Sequence, residues 1–395
     1  MKVEQIYSLL NTVTGEVLGK SDIVAEDLSN VVDLGKEVFS NTDVDNYVKS
    51  LINHIGKVIF TNRDYSGNVP SVLMDGWEYG SVLEKISADI PEAQENDSWN
   101  LEDKKQYPYD TFYKPSVSAK FYNSKNTFEI PMSFTEMQLK ESFSNAQQLN
   151  GFMSMIDGSI KKSMTIKTDG MIMRTINNMI AQTLHAEFPS VSDGNYSAVS
   201  GIKAINLLKL YNDKFNSAEG AKKLTAEQAL TSPEFIRFAT FELGMYRDRM
   251  GKISTLFNIG KKERFTPSDA LHVVMLSDFS NSAKIYLQSD TFNKELVALP
   301  NAETVPYWQA SGTDYSFNNV SDIHVNIKTG NSTTEIVSNG ILAVMFDHDA
   351  LGVCNQNERT TTAYNPKGEF YSSFYKYDCS YFNDENENFV VFFIA

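Results

Sequence analysis

Residues 146–186 read AQQLNGFMSMIDGSIKKSMTIKTDGMIMRTINNMIAQTLHA, and the reading of that stretch decides the fold. Apolar side chains fall at Leu149, Phe152, Met153, Ile156, Ile160 and Met164, then at Ile172, Ile176, Met179, Ile180 and Leu184. Steps of three and four dominate, which lines one face of an α-helix. Met137, Phe143 and Ala146 carry the stripe upstream, behind Ser133 or Thr135 as a cap. Gly151, Gly158 and Gly170 weaken it, and Lys167-Thr168-Asp169-Gly170 is a candidate break. Unbroken, the helix runs about 60 Å. That exceeds what a compact domain uses and suits a spine across an extended subunit.

Upstream lies the most polar part of the chain, residues 61–131. Between Glu84 and Asp110 eight acidic residues stand against three basic ones, with Pro91 and Pro108 and no long apolar periodicity. Such a length inside a globular protein is an excursion with its own task. Its legs read as strands: Val117, Ala119 and Phe121 alternate with Ser116, Ser118 and Lys120, and Thr127-Phe128-Glu129-Ile130 leads to Pro131. The expectation is a long two-stranded arm with a mobile tip near 89–107. Residues 1–57 read as an arm leaning on other structure, with Leu28, Val31, Val32, Leu34 and Val38 at mixed spacing. A helix is expected from Asp43 or Asp45 through Val48, Leu51, Ile52 and Ile55 to Gly56, then Val58-Ile59-Phe60 as a short strand.

Downstream of the spine, helices are expected at 198–216, 225–230 and 233–250. The last starts with Ser232 as cap and Pro233 at the first helical position. Residues 269–275 read as a buried strand, 282–287 and 297–299 as shorter elements, and 325–327 and 341–346 as strands. Asp349 to Val353 turns into another. Near the end, Tyr371, Tyr375, Tyr377, Cys379 and Tyr381 share a strand face, with Ser372, Lys376, Asp378 and Ser380 opposite. A polar turn over 383–388 joins them to Phe389-Val390-Val391-Phe392-Phe393-Ile394 as a terminal hairpin. Burying six such side chains contributes on the order of 10 kcal/mol before chain entropy. The last strand must therefore be a central one. The texture is α+β.

At 395 residues, two or three subdomains are expected. An apolar content of 42% is enough for sizeable cores, and aromatics reach 12%. Lys plus Arg number 35 against 50 Asp plus Glu, a net charge of −15. That balance argues against sequence-reading nucleic-acid binding, which needs a basic face. It permits a protein that encloses nucleic acid without gripping it. Cys354 and Cys379 read as free thiols in a reducing compartment. The polar opening Met1-Lys2-Val3-Glu4-Gln5 and the lack of a run of about 20 apolar residues predict a soluble, cytoplasmically made protein with no membrane contact.

No phosphate loop, dinucleotide fingerprint, GxSxG elbow or HExxH pattern is present. Asp347-His348-Asp349 is the one dense polar cluster, but adjacent strand residues point to opposite faces, and a solvated turn fits better than a metal site. Glu242, Arg247, Asp248 and Arg249 read as solvated ion pairs on a helix, and Lys261-Lys262-Glu263-Arg264 as a basic loop that could also meet phosphate. The methionines at 153, 155, 164, 171, 173 and 179 read as core and interface filler. Trp77, Trp99 and Trp308 sit in loops or the excursion, where a tryptophan can anchor a partner. No catalytic residue, cofactor or metal is expected, and the protein reads as a structural one.

The order of these elements resembles the tailed-phage capsid fold of the HK97 type. The likeness is carried by Leu51 to Phe60 before the excursion, Pro115 to Tyr122 with the return into Phe143, and Ile341 to Asp347 followed by Asn365-Pro366-Lys367-Gly368 and the aromatic end. It is similar in particular to major capsid proteins of small short-tailed phages of the picovirus group. The resemblance implies an N-terminal arm at 1–57, an extended loop at 58–131 laid over a neighbouring subunit, a peripheral domain at 132–240 and 341–395, and an axial domain at 241–340. It implies self-assembly through pentamers and hexamers into an icosahedral or prolate shell around double-stranded DNA, with scaffolding and portal proteins as partners. Trp77, Trp99, Tyr107, Tyr109 and Phe112 are then the expected inter-subunit contacts. An encapsulin-like compartment and another virion part, such as a tail protein, are the alternatives.

Overall fold

The computed structural model describes residues 3–19, 24–40, 44–61, 69–74, 83–91, 93–96, 98–107, 109–110, 112–114, 116–191, 195–218, 221–288, 302–308, 322–329 and 332–395. The chain divides into two units. Met1–Trp77, Ser124–Met173 and Val353–Tyr381 make the first; Glu78–Asn123, Arg174–Gly352 and Phe382–Ala395 make the second.

Along the chain come α1 (Val3–Leu18), α2 (Val31–Ser40) and α3 (Val44–Thr61), then β1 (Leu83–Ala88) and β2 (Val117–Tyr122). Next follow β3 (Lys125–Thr135), α4 (Glu136–Ser142), α5 (Ala146–Glu187), β4 (Ala204–Asn206), α6 (Leu207–Phe215), α7 (Ala226–Ala229) and α8 (Pro233–Met250). The rest is β5 (Leu271–Leu276), α9 (Ser277–Gln288), β6 (Ala302–Val305), β7 (Ile323–Thr329), β8 (Ser332–Ser338), β9 (Ile341–Asp347), β10 (Leu351–Asn365), β11 (Phe370–Asn383) and β12 (Phe389–Phe393).

In the first unit the N-terminal arm is helical from Val3. Ile6, Leu9, Leu10 and Val13 form the buried stripe of α1, and Val31, Leu34 and Val38 that of α2. The helix expected to stop at Gly56 runs on as α3 to Thr61, so Val58-Ile59-Phe60 is helical and forms no strand. One glycine costs a helix only about 1 kcal/mol, and a three-residue strand without a partner offers no ladder to compete. Thr135 caps α4: its Oγ1 accepts from Gln138 N, and Gln138 Oε1 accepts from Thr135 N.

The spine α5 is one helix of 42 residues. Its expected break at 167–170 does not occur. Thr168 is buried there, and its Oγ1 accepts from Asn355 Nδ2 at 2.9 Å, which ties that turn to β10.

A three-stranded sheet, β10-β11-β3, completes the first unit. Strand β3 runs antiparallel to β11 with Ile130 opposite Tyr375. The segment read as the second leg of the excursion therefore belongs here, drawn by aromatic partners: Phe128 packs on Tyr377 and Phe134 on Tyr371. The tyrosine face of β11 is buried at Tyr371, Tyr375 and Tyr377, as expected. Asp378 and Ser380 on the other face are buried as well, because Lys125, Thr127, Asn357 and Arg359 bond the Asp378 carboxylate and Gln356 bonds Ser380.

The second unit is built on a five-stranded sheet of order β4-β12-β9-β5-β6. Strand β12 lies between β4 and β9, and all five of its side chains are 0–1% exposed, so the apolar end is a central strand. It does not form a hairpin with β11. A strand apolar on both faces needs a slot covered from both sides, and the turn at 383–388 carries the chain from one sheet to the other. Phe235, Ile236, Ala239, Leu243 and Tyr246 of α8 and Phe279 of α9 pack with Val273, Met345 and Phe392 in one core cluster. The expectation of short elements at 282–287 is met by α9; residues 297–299 lie outside the described residues. Gly340 turns β8 into β9 at φ +72, where a Cβ would meet Ile394 O.

Candidate assembly surface

Hairpin β1–β2 is antiparallel with Leu83 opposite Tyr122 and Ile86 opposite Ala119. Its two faces are inverted relative to a half-buried strand pair. Leu83, Lys85, Ser87, Ser118, Lys120 and Tyr122 are partly buried, whereas Glu84, Ile86, Ala88, Val117, Ala119 and Phe121 are exposed. Ile86 and Phe121 are 65% and 64% exposed. The polar face turns toward the body of the unit and the apolar face toward solvent. Period-2 alternation marks a strand but does not say which face sees water, so the sequence reading found β2 and missed this orientation.

An ion network explains the inward polar face. Lys85 Nζ lies 3.0 Å from Asp384 Oδ2 and 2.9 Å from Glu387 Oε1, and also donates to Asp349 O at 3.0 Å. Lys120 Nζ reaches Asp384 Oδ1 at 3.0 Å, and Arg264 Nε reaches Glu387 Oε1 at 3.3 Å. Beyond the strands, Asp89 accepts from Lys262 at 2.8 Å and from Ser116 Oγ at 2.8 Å. Burial alone would raise the Asp384 carboxyl, but the Asn386 N–H, Lys85 and Lys120 hold it below the ordinary carboxylate value. Burial alone would lower Lys85, but Glu387 and Asp384 hold it above the usual ammonium value. The basic run at 261–264 is thus partly spent on ion pairs within the unit.

Beyond the hairpin, Trp99 is 98% exposed, Tyr109 100% and Phe112 85%. Tyr107 is less so: its hydroxyl accepts from Glu102 N at 3.0 Å, and Lys105 sits over its ring. Trp77 lies outside the described residues. Leu101 and Tyr113 are exposed beside these and escaped the sequence reading, as did Ile86, whereas Phe121 was read only as part of a strand. Trp308 is no partner anchor. It is fully buried, with Nε1 donating to Ile341 O at 2.9 Å and its carbonyl accepting from Asn177 at 2.7 Å. Met155, read as filler, is exposed, whereas Met153, Met171, Met173 and Met179 are buried.

Asp347-His348-Asp349 forms a turn. Asp347 Oδ1 accepts from Asp349 N at 3.0 Å, and Ala350 N donates to Asp347 O at 2.9 Å. Among the described residues no three His, Cys, Asp or Glu side chains are grouped to hold a metal. Arg247 pairs with its neighbour Asp248 at 2.9 Å on the exposed end of α8. No described helix is long and apolar enough to cross a membrane.

The family model described as Phi29-like phage major capsid protein matches residues 10–393. The capsid structure of Staphylococcus phage Andhra superposes with a TM-score of 0.51 at 10% identity, over 84% of this chain and 86% of that one. The capsid structure of the cyanophage P-SCSP1u gives 0.46 at 9% identity, over 82% and 86%. The first of these shows the shared HK97-type fold. No curated protein matches the sequence.

Proposed function

Because the chain belongs to the Phi29-like phage major capsid protein family, we propose that it closes the phage head by laying hairpin β1–β2 and its tip over a neighbouring copy. It is a head-shell protein. The observation that carries the finer reading is the inverted hairpin, a strand pair whose apolar face has no cover among the described residues. Each large apolar side chain buried against a neighbour contributes about 1.5–3 kcal/mol, and closed symmetry repeats that gain at every copy.

In this reading copies assemble as pentamers and hexamers in the host cytoplasm, assisted by scaffolding and portal proteins. The extended loop lies within residues 58–131, with 132–240 and 341–395 as the peripheral domain and 241–340 as the axial domain. The shell encloses double-stranded DNA without reading it, in keeping with a net charge of −15. The reading assigns no catalytic role: Arg247 pairs with Asp248, and Asp347 accepts from Asp349 N within its own turn. Expansion on filling is a rigid-body and loop rearrangement between two packings.

Replacing residues 92–110 by a short turn, with β1 and β2 intact, tests the reading. The expected product is soluble, folded and unable to close shells. Normal shells from that variant would overturn it.

A further inference from the structure

The excursion carries a charge pattern that is mirrored elsewhere in the same unit. From Glu92 to Asp110 the sequence holds six acidic residues against two basic ones. From Arg247 to Phe265, six basic residues stand against two acidic ones, in a chain of net charge −15. Three of those six cations are committed: Arg247 to Asp248, Lys262 to Asp89 and Arg264 to Glu387. Lys252 and Lys261 are exposed and have no ion pair among the described residues.

Those two lysines flank an apolar surface. Ser254 and Arg264 exchange both backbone hydrogen bonds, at 2.9 and 3.1 Å. That bridge sets Ile253 opposite Phe265 on the face away from Ser254, and they are 59% and 53% exposed. Leu256 beside them is 51% exposed. The loop is held in shape before any partner arrives: buried Asn258 donates to Lys262 O at 2.7 Å and accepts from Lys262 N at 2.8 Å. A cleft lined by Asp89, Ile90, Pro91, Thr255 and Lys261 adjoins it.

We propose that the 251–265 loop is the seat for the excursion tip of a second copy, with Ile253, Leu256 and Phe265 receiving its aromatic side chains and Lys252 and Lys261 pairing with Glu102 and Asp103. This rests on the reading that the excursion reaches a neighbour, and names the surface it reaches. The occupant is a second copy of this chain because the tip presents the groups that complement the seat, exposed aromatics at Trp99, Tyr109 and Phe112 for its apolar face and exposed carboxylates at Glu102 and Asp103 for its two lysines. Nucleic-acid phosphate would satisfy the lysines but leave the apolar pair exposed.

Zero-length carbodiimide cross-linking of the assembled protein, with peptides read from the dimer band of a denaturing gel, is the test. The expected links join Glu102 or Asp103 to Lys252 or Lys261. Links from those carboxylates to other lysines of a second copy would overturn the seat and leave the reach intact. Absence of tip carboxylates from the dimer band would overturn both. Charge reversal gives an independent readout: Lys252→Glu with Lys261→Glu should cut the yield of closed shells by about tenfold. Adding Glu102→Lys and Asp103→Lys should restore it. Full assembly of the first variant, or no recovery in the second, refutes the pairing. Normal shells that lose their DNA would assign the lysines to phosphate instead.

Discussion

Asp384 is the residue on which the hairpin root depends, and Asp384→Asn isolates its charge. The side chain is 3% exposed, with Lys85 and Lys120 each at 3.0 Å and the Asn386 N–H at 3.0 Å. Asparagine keeps the shape and can still accept from Asn386, so the perturbation falls on the two lysines. Removing one partner of a fully buried pair costs about 3–5 kcal/mol. Here Lys85 keeps Glu387 at 2.9 Å, and Lys120, 39% exposed, rehydrates. The cost should therefore fall to about 2 kcal/mol. That corresponds to about thirtyfold faster amide exchange wherever opening requires the root to release. Hydrogen exchange read by mass spectrometry on unassembled protein should show that acceleration in peptides covering 83–88 and 117–122. Peptides covering 389–393 should be unchanged. Unchanged hairpin exchange, or an equal rise in β12, would refute the anchor.

Phe392→Ala removes a fully buried ring packed edge-on against Tyr246 at 5.3 Å, and should destabilise the second unit by about 3–5 kcal/mol in denaturant unfolding; a loss under about 1 kcal/mol would contradict its central placement. Asp384 and Asp378 both have folded-state values below the ordinary carboxylate value of 3.8, despite burial, through their N–H, lysine and arginine partners. The unfolded chain therefore binds more protons in acid, and the stability these groups supply is complete above about pH 5 and lost as pH falls below about 4. The thermal midpoint should trace that fall, and Asp378→Asn should flatten it. Burial pushes the Cys379 thiol up to about 12, and Cys354 beside it is also buried, so iodoacetamide at about pH 8 should label neither until the protein is denatured.

The spine and the terminal strand were legible because each carries its signal locally: a 3.6-period stripe after a Thr135 capping box, and six apolar residues in succession. What decides their continuation is not local. Residues 167–170 stay helical because Asn355 holds Thr168, and β12 leaves β11 because its two neighbours, β4 and β9, lie elsewhere in the chain. The α2 stripe was hidden by the apolar Leu28 ahead of the helix and by Val32 between its buried positions. On the excursion, Trp99, Tyr109 and Phe112 were legible as exposed side chains because polar surroundings make a large aromatic conspicuous. Trp308 was misread on the same rule, since a loop residue can fill a core when Ile341 O takes its N–H. The outward apolar face of the hairpin was missed because its cause lies in Asp384 and Glu387, far along the chain.

Negative-stain electron microscopy of the purified protein, with a sizing column beside it, tests the central claim most directly. Closed uniform shells, or five- and six-membered rings on the way to them, are the expected result. A protein that stays monomeric even when produced together with the phage's other head proteins would contradict the account.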